Sequence, residues 1–183
     1  MVFLREIKTQ HKQYPFIEQL LHAAFPKNER RDDEKQRLYT DCKHNFHCLL
    51  IEQADNIPVG VLTYWDFNNF FYIEHFAISS SLRRQGWGTK AIKNFFNEHS
   101  QKPIVLEVEH PTNEESIRRI SFYKQCGLSL WSCNYLQPPY RESDEWFPLY
   151  LMVSDGLCFE KDYADIQQTI HSQVYGVKTN EGA

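Results

Sequence analysis

Residues 72–89 decide the fold and read Y-I-E-H-F-A-I-S-S-S-L-R-R-Q-G-W-G-T. The first half of this stretch is aromatic and β-branched, which predicts a β-strand over residues 70–78. The second half is polar and contains two glycines, which predicts a turn. Apolar residues then recur at helical spacing as far as residue 98. The sequence therefore predicts a strand, a glycine-rich turn and a helix in that order.

The turn at residues 83–89 has the features of an anion-binding loop. A helix N-terminus presents unpaired amide N–H groups and a partial positive charge, both of which suit a phosphate. Gly86 and Gly88 lack Cβ atoms and allow a phosphate to approach the backbone closely, while Arg83 and Arg84 add positive charge. This sequence is not a dinucleotide-binding fingerprint, because G-x-G-x-x-G would need a third glycine at Ala91. The chain also contains no P-loop motif.

Length and composition predict one globular domain spanning residues 1–183, with its core at residues 46–153. The chain of 183 residues can bury one sizeable core, and 42% hydrophobic content argues against disorder. A net charge of −4 argues against a nucleic-acid partner. The five cysteines lack C-x-x-C spacing, so we expect no metal site. Since no apolar run suits a signal peptide or a membrane span, we expect a cytoplasmic protein with no membrane partner.

Strand-like runs on either side of the opening stretch predict the fold class. Residues 46–53 and 58–65 surround a short polar turn and join residues 70–78 in an antiparallel meander. The helix after the turn leads to another strand, and a strand–helix–strand unit forms a right-handed crossover with parallel strands. We predict an α/β fold with a mixed sheet: an antiparallel N-terminal meander joined to a parallel strand pair by a crossover helix, flanked by helices. The remaining predicted elements are a weakly alternating first strand at 2–8, a helix at 15–25, strands at 103–109, 128–136 and 146–153, a closing helix at 160–175 and a frayed tail at 179–183.

A further helix is predicted to begin in the segment P-T-N-E-E. Thr112 followed by Glu115 has the spacing of a capping box. Two pairs of glutamate and arginine, the first at Glu114 and Arg118, then stand four residues apart and support a helix. Gly127 is placed to end this helix as a left-handed residue.

Two motifs in register resemble one known family. The spelling R-R-Q-G-W-G of residues 83–88, directly after a strand, resembles the [QR]-x-x-G-x-[GA] motif of the GNAT superfamily of acyl-CoA-dependent N-acyltransferases. The segment I-S-F-Y-K-Q-C-G-L of residues 120–128 is similar to the F-Y-x-x-x-G-F segment of that family. Together with L-E-V at residues 106–108, the resemblance spans residues 46–153 in matching order of elements.

The resemblance implies that coenzyme A binds at the turn and that acetyl-CoA is the cosubstrate. In the family, backbone amides of this loop hold the diphosphate of coenzyme A, and N–H groups at the end of the preceding strand polarise the thioester carbonyl. Many members also place an asparagine seven residues before the motif tyrosine. This chain has Ser116 there and Asn113 three residues earlier, so a contact between Asn113 and the cofactor stays open. The implied cofactor-binding residues are Phe76, Ala77, Ile78, Arg83, Arg84, Gln85, Gly86, Trp87, Gly88 and Thr89.

Tyr123, the tyrosine of the second motif, is the predicted catalytic acid. Acetyl transfer releases a thiolate, and a phenol with a pKa near ~10 can reprotonate a thiolate whose thiol has a pKa near ~8.5. The same transfer needs a deprotonated amine. A lysine-like amine has a pKa about six units above that of an ordinary glutamate, so a glutamate base needs burial or a water relay.

The catalytic base has three candidates. Glu74 ranks first because it stands inside an otherwise apolar strand. Glu107 occupies the glutamate of L-E-V, which serves as base in some relatives. His75 has a convenient pKa near ~6.5, but a structural histidine is more common. Strand alternation places Glu74 on the face of Tyr72 and Phe76, and His75 on the opposite face.

The predicted function is acetyl-CoA-dependent N-acetylation of a primary amine by direct attack in a ternary complex. The alternative is a non-catalytic acyl-CoA-binding or sensing module, which keeps the 83–89 loop but needs neither acid nor base. The acceptor is an amine-bearing small molecule or peptide that the sequence does not identify, and both a monomer and a homodimer fit. We expect acceptor specificity from loops at 25–33 and 137–146. The charged segment at 26–37 is then either a solvated loop and helix surface or a loop over the acceptor site.

Overall fold

The computed structural model describes residues 1–178, and the predicted tail at 179–183 lies outside them. Contacts divide the chain into two compact units, Met1–Ile104 and a second unit that begins at Val105. The single domain predicted from the sequence stays a prediction. The elements of the described chain are, in order, β1 Val2–Glu6, α1 Tyr14–Ala24, α2 Asp33–Cys42, β2 Phe46–Gln53, β3 Ile57–Asp66, β4 Phe71–Ile78, α3 Trp87–Glu98, β5 Ile104–Glu109, α4 Glu114–Gln125, β6 Ser129–Gln137, β7 Phe147–Val153 and α5 Phe159–Gln173.

In the first unit, β1 to β4 form an antiparallel meander in which each strand pairs with the next. The three-stranded meander predicted from the sequence is confirmed, and β1 adds a fourth strand. β2 and β3 are buried along almost their whole length. This burial explains why the middle of each strand is apolar at consecutive positions rather than at every second one. The helices α1, α2 and α3 pack against this sheet.

β3 and β4 approach each other closely at Gly60. A Cβ atom at this position would lie 2.5 Å from the carbonyl oxygen of Ala77 and 2.8 Å from Cδ1 of Ile78. We expect Gly60→Ala to lower the free energy of unfolding by about 2 kcal/mol, because the two strands would have to separate. Urea denaturation followed by circular dichroism measures the change. An unchanged denaturation midpoint would show that the strands have more room than the structure gives them.

A β-bulge interrupts β4 at Glu74. Thr63 of β3 pairs with His75, whereas the next residue of β3 pairs with Ile73, so Glu74 is the extra residue of the bulge. The regular alternation predicted from the sequence is therefore wrong at this point. The side chains of Glu74 and His75 do not lie on opposite faces but approach within 4.0 Å, and both are buried.

The charged segment at residues 26–37 is more ordered than a solvated loop. It forms a 3₁₀ turn at Lys27–Glu29 and the first part of α2. Arg31, between these two elements, is only 2% exposed. The solvated interpretation is therefore wrong for Arg31. The sequence did not locate α2 because its buried residues are the polar Gln36 and Thr40, so no apolar periodicity marks the helix.

In the second unit, β7 pairs in antiparallel fashion with both β5 and β6. The helix α4 in this unit is capped by Asn113, whose Oδ1 accepts hydrogen bonds at 2.9 Å from the amides of Glu115 and Ser116. The Ser116 hydroxyl oxygen in turn accepts from the Asn113 N–H at 3.2 Å. The capping box predicted at Thr112 is therefore wrong by one residue, because the asparagine side chain already satisfies these amides.

The rest of the predicted α4 helix is confirmed. Glu114 and Arg118 form an ion pair at 3.4 Å, and Glu115 and Arg119 form one at 3.5 Å. Gly127 follows the last helical turn with φ +98°, a conformation that suits a glycine without a Cβ. The strands and the closing helix predicted for the rest of this unit correspond to β6, β7 and α5.

Candidate functional site

The segment between β4 and α3 reverses the chain through two left-handed residues. Arg84 has φ +64°, and Gly86 has φ +79° at the N-cap of α3. The first helical hydrogen bond runs from the Lys90 N–H to the Gly86 carbonyl oxygen at 3.1 Å. The amides of residues 87–89 find no acceptor within residues 1–178. They are the donors that a helix N-terminus offers to an anion.

Side chains of this loop hold its shape and leave its rim positively charged. Arg83 Nε donates to the carbonyl oxygen of Ile78 at 3.2 Å, and the Gln85 amide donates to that of Ser81 at 3.3 Å. Both arginines of the loop are exposed. A Cβ atom on Gly86 would meet nothing within 4 Å, so the loop surface is open to an approaching ligand.

The residues predicted to bind the cofactor form one run along the chain. Residues 83–89 make up the loop, and Phe76, Ala77 and Ile78 end β4 before it. Ala77 and Ile78 are buried, whereas Phe76 is partly exposed. All three pair with β3 and are fixed by that strand. Their contact with a cofactor stays a prediction.

The carboxylate of Glu74 is bound by two buried donor groups. It forms an ion pair with Arg31, and the two side chains are 0% and 1% exposed. Trp65 Nε1 donates to its second oxygen at 3.0 Å. Arg31 also donates to Gln36 Oε1 at 3.0 Å. The ion pair and the hydrogen bond from Trp65 hold the Glu74 side chain in one position.

His75 is a neutral residue with both ring nitrogens engaged. Its Nε2 lies 3.0 Å from the carbonyl oxygen of Glu29, which can only accept, so this nitrogen carries the proton and donates. Its Nδ1 lies 3.3 Å from the Thr63 hydroxyl. Burial lowers the pKa of His75 below its ordinary value, because desolvation penalises the charged ring. These contacts give His75 a structural part in the fold.

Tyr123 lies on α4 and is 7% exposed. Desolvation by burial raises the pKa of its phenol to about 12, although the nearby Arg119 charge opposes the rise. Its hydroxyl makes no hydrogen bond within residues 1–178. The Tyr123 hydroxyl is therefore protonated, and no side chain of residues 1–178 forms a hydrogen bond with it.

Burial of Tyr123 predicts a loss of stability at alkaline pH. An unfolded tyrosine loses its proton near pH ~10, whereas folded Tyr123 keeps it up to about 12. Between these pH values the folded state binds more protons than the unfolded state, so the free energy of unfolding falls as pH rises. We expect the free energy of unfolding of Tyr123→Phe to decrease less steeply with rising pH than that of the wild type. Urea denaturation above pH ~9 measures it, and equal slopes for both proteins would contradict the raised pKa.

Glu107 on β5 accepts three hydrogen bonds from neutral groups of the second unit. The donors are the Tyr135 hydroxyl, Gln137 Nε2 at 2.8 Å and the Tyr175 hydroxyl at 2.9 Å. Several donors on one carboxyl group favour its ionised form. Burial and the neighbouring Glu107 charge raise the pKa of Tyr135 well above its ordinary value, so this phenol stays a donor. The Glu107 side chain is thereby fixed in one orientation.

Sequence reasoning missed the partners of both glutamates. Arg31 stands in a run of charges that resembles solvated surface, and nothing local marks it as buried. Tyr135, Gln137 and Tyr175 lie 28, 30 and 68 residues from Glu107. The only signal for one of them is the segment L-Q-P-P-Y, which contains Gln137 but does not indicate its partner.

Residues 1–178 contain no group of three or more His, Cys, Asp or Glu side chains arranged to hold a metal ion. In the same part of the chain, every helix is too short or too polar to span a lipid bilayer.

The chain is similar to known acetyltransferases. A sequence model of the acetyltransferase (GNAT) family matches residues 14–128. A solved protein from Bacteroides thetaiotaomicron, assigned to the GNAT family, is 46% identical, with a TM-score of 0.92 over 96% of this chain and 99% of that chain. No curated protein matches the chain. This similarity confirms the predicted fold class, an α/β fold with a mixed sheet.

Two more distant solved structures share the fold. An acetyltransferase from Bacillus subtilis, solved with CoA, is 15% identical, with a TM-score of 0.60 over 86% of this chain and 100% of that chain. A spermidine N-acetyltransferase from Vibrio cholerae, solved with CoA and spermine, is also 15% identical, with a TM-score of 0.62 over 83% of this chain and 94% of that chain. At such low identity the likeness shows the fold alone.

Proposed function

Because this chain belongs to the acetyltransferase (GNAT) family, we propose that it transfers the acetyl group of acetyl-CoA to a primary amine. The observation that carries the proposal is the row of amides at residues 87–89, which have no acceptor within residues 1–178 and lie next to two exposed arginines. A diphosphate supplies the negative charge and the acceptor oxygens that such donors bind. The Bacillus subtilis relative that was solved with CoA supports the same cosubstrate.

The reaction forms one C–N bond and breaks one C–S bond. The ammonium group first loses one proton, the neutral amine then attacks the thioester carbonyl carbon, and CoA leaves as a thiolate. The nitrogen gives up a second proton after the C–N bond has formed, which offsets the proton that the thiolate takes up. Amides at residues 76–78 polarise the carbonyl, as the family resemblance implies. Direct attack in a ternary complex needs no covalent enzyme intermediate.

Tyr123 donates the proton that the leaving thiolate takes up. Its hydroxyl is protonated across the physiological range, since its pKa is about 12, and it is not engaged by another side chain of residues 1–178. Burial makes this phenol a weaker acid than an exposed tyrosine. The same desolvation also raises the pKa of the departing thiol, so the two pKa values move in the same direction and the transfer remains feasible.

The amine proton goes to Glu107 through a relay of waters, because hydrogen-bond donors on this carboxylate make it a weak base, and Glu74 is the alternative. Tyr135, Gln137 and Tyr175 donate to Glu107 as neutral groups, and an incoming ammonium group can replace one of them. Glu74 is 0% exposed and is paired with Arg31, so it would need a relay of waters to reach the amine. His75 takes no part, since contacts within the fold engage both of its ring nitrogens.

A non-catalytic acyl-CoA-binding module is the rival, and it would use the same loop. The test is to incubate the protein with acetyl-CoA and a panel of primary amines, and to measure released thiol. Spermidine belongs in the panel because a relative from Vibrio cholerae carries that activity in its name. We expect thiol release that requires an amine. Acetyl-CoA binding with no thiol release for any amine would support the rival. A cytoplasmic location and a monomeric or homodimeric state stay predictions.

A further inference from the structure

The two oxygens of the Glu107 carboxylate accept hydrogen bonds from donors that differ in how the backbone holds them. Oε1 accepts from the Tyr135 hydroxyl, and Oε2 accepts from Gln137 Nε2 at 2.8 Å and from the Tyr175 hydroxyl at 2.9 Å. An ammonium group that binds this carboxylate therefore has to compete with a donor that is already in place.

Two of the donors, Tyr135 and Gln137, stand on β6. Tyr135 pairs with Leu149 of β7 and is 1% exposed, and Gln137 pairs with Phe147 of the same strand. The strand ladder fixes the backbone from which both side chains reach Glu107. The sheet therefore sets the positions of these two donors.

Tyr175 reaches Glu107 from a segment outside the sheet. It stands beyond the last residue of α5, in a part of the chain without helix or strand. Gly176, the next residue, has φ +76°, and the Val177 N–H donates to the His171 carbonyl oxygen at 2.9 Å, a pattern that ends a helix. The Tyr175 side chain is partly exposed, so rotation about its Cα–Cβ bond takes the hydroxyl away from Glu107 without disturbing a strand.

An ammonium group is favoured over the Tyr175 phenol as a donor to Glu107. The phenol that donates to the carboxylate is neutral, whereas an ammonium group adds the attraction of a full positive charge. The ring centroid of Tyr175 lies 5.0 Å from that of Tyr140, and both side chains are partly exposed. Aromatic faces attract ammonium groups. A cation that replaces the hydroxyl at Glu107 therefore gains a contact between opposite charges and has aromatic neighbours.

We propose that the Tyr175 hydroxyl covers the Glu107 carboxylate in the free protein and is the donor that the ammonium group of the acceptor displaces. The inference rests on the proposed function, because it takes Glu107 as the group that meets the amine. Tyr175 is a positioning residue, since it acts on the reaction through Glu107. While its hydroxyl donates to Oε2, the carboxylate is a weaker base, and displacement of the hydroxyl makes it a better acceptor for the amine proton. Displacement also releases the segment 174–178 from β5.

The test variant is Tyr175→Phe, which removes the hydroxyl and keeps the ring beside Tyr140. The ammonium group then binds without first breaking a hydrogen bond of Glu107, so the KM for the amine falls. A hydroxyl that instead binds the amine directly would give a higher KM on removal, so the sign of the change separates the two roles. The matched control is Tyr163→Phe, which removes a hydroxyl of α5 that donates to the Asn134 carbonyl oxygen at 3.3 Å.

The first measurement gives the KM values of the full chain for acetyl-CoA and for the panel amine that the wild type acetylates fastest. We expect Tyr175→Phe to lower the amine KM about threefold or more, with the acetyl-CoA KM within about twofold of the wild type, and Tyr163→Phe to keep both values. An amine KM that is unchanged or higher in Tyr175→Phe overturns the inference. A lower amine KM in Gln137→Met alone overturns it as well, because Gln137 would then be the displaced donor.

The second measurement does not depend on turnover. Amide exchange of Val177 is followed by NMR in the wild type with CoA in place of acetyl-CoA, with and without a saturating concentration of the same amine. We expect Val177 to exchange about threefold or more faster when the amine is bound, because the segment has lost its hydrogen bond to Glu107. Equal or slower exchange overturns the inference and leaves the proposed function standing, provided that the wild type acetylates the amine. A wild type that acetylates no amine overturns the proposed function, and this inference with it.

Discussion

Tyr123→Phe is expected to lower kcat by about 100-fold or more while leaving CoA affinity within about threefold of the wild type. The substitution removes one hydroxyl oxygen from a side chain that is 7% exposed, and that hydroxyl makes no hydrogen bond within residues 1–178. The fold therefore loses little, whereas the leaving thiolate loses its proton donor. Steady-state thiol release measures kcat, and calorimetry with CoA measures the affinity.

The control for this variant is Tyr163→Phe. Tyr163 is a tyrosine of α5 in the same unit, and its hydroxyl donates to the Asn134 carbonyl oxygen at 3.3 Å. We expect its turnover to match the wild type. Normal turnover in Tyr123→Phe would remove the phenol from the mechanism, and equal losses in both variants would point to a general effect of losing a tyrosine hydroxyl.

Gly86→Ala is expected to weaken the binding of CoA about tenfold or more. Gly86 has φ +79°, where a residue with a Cβ is strained by about 1–2 kcal/mol. The chain relieves this strain by shifting the N-cap of α3, and with it the amides of residues 87–89. The new Cβ also occupies the open space through which a phosphate approaches, since nothing lies within 4 Å of it.

Gly176→Ala is the matched control for this prediction. Gly176 has φ +76°, and a Cβ there also meets nothing within 4 Å, so the backbone strain is alike. Both variants should lose a similar free energy of unfolding in urea, and only Gly86→Ala should lose CoA affinity in calorimetry. Equal CoA affinities in the two variants would show that the loop amides do not bind the cofactor.

The loop and the meander were predictable because their signals are local. The six adjacent residues 83–88 indicate the turn and the start of α3, and continuous apolar runs indicate β2 and β3. The family predicted from residues 83–88 and 120–128 is confirmed for the same reason, since both motifs are short strings that need no knowledge of packing. The cap of α4 was missed by one residue because Thr112 and Asn113 are both good caps.

The buried ion pair between Arg31 and Glu74 was not predictable from the sequence, because it joins residues that are distant along the chain. Arg31 and Glu74 stand 43 residues apart. The bulge that brings Glu74 towards Arg31 is set by the register between β3 and β4, and a period-two pattern within one strand does not contain that register. A buried arginine and an exposed one also look alike in a run such as E-R-R-D-D-E-K.

The most direct test of the account is isothermal titration calorimetry of the folded protein with CoA and with acetyl-CoA. The central claim is that the amides at the start of α3 bind the diphosphate of the cofactor. We predict saturable heat for both ligands, with one site per chain and a Kd in the micromolar range. Such a Kd corresponds to a binding free energy of about −8 kcal/mol. The absence of heat with either ligand at millimolar concentration would contradict the claim, and with it the proposed function.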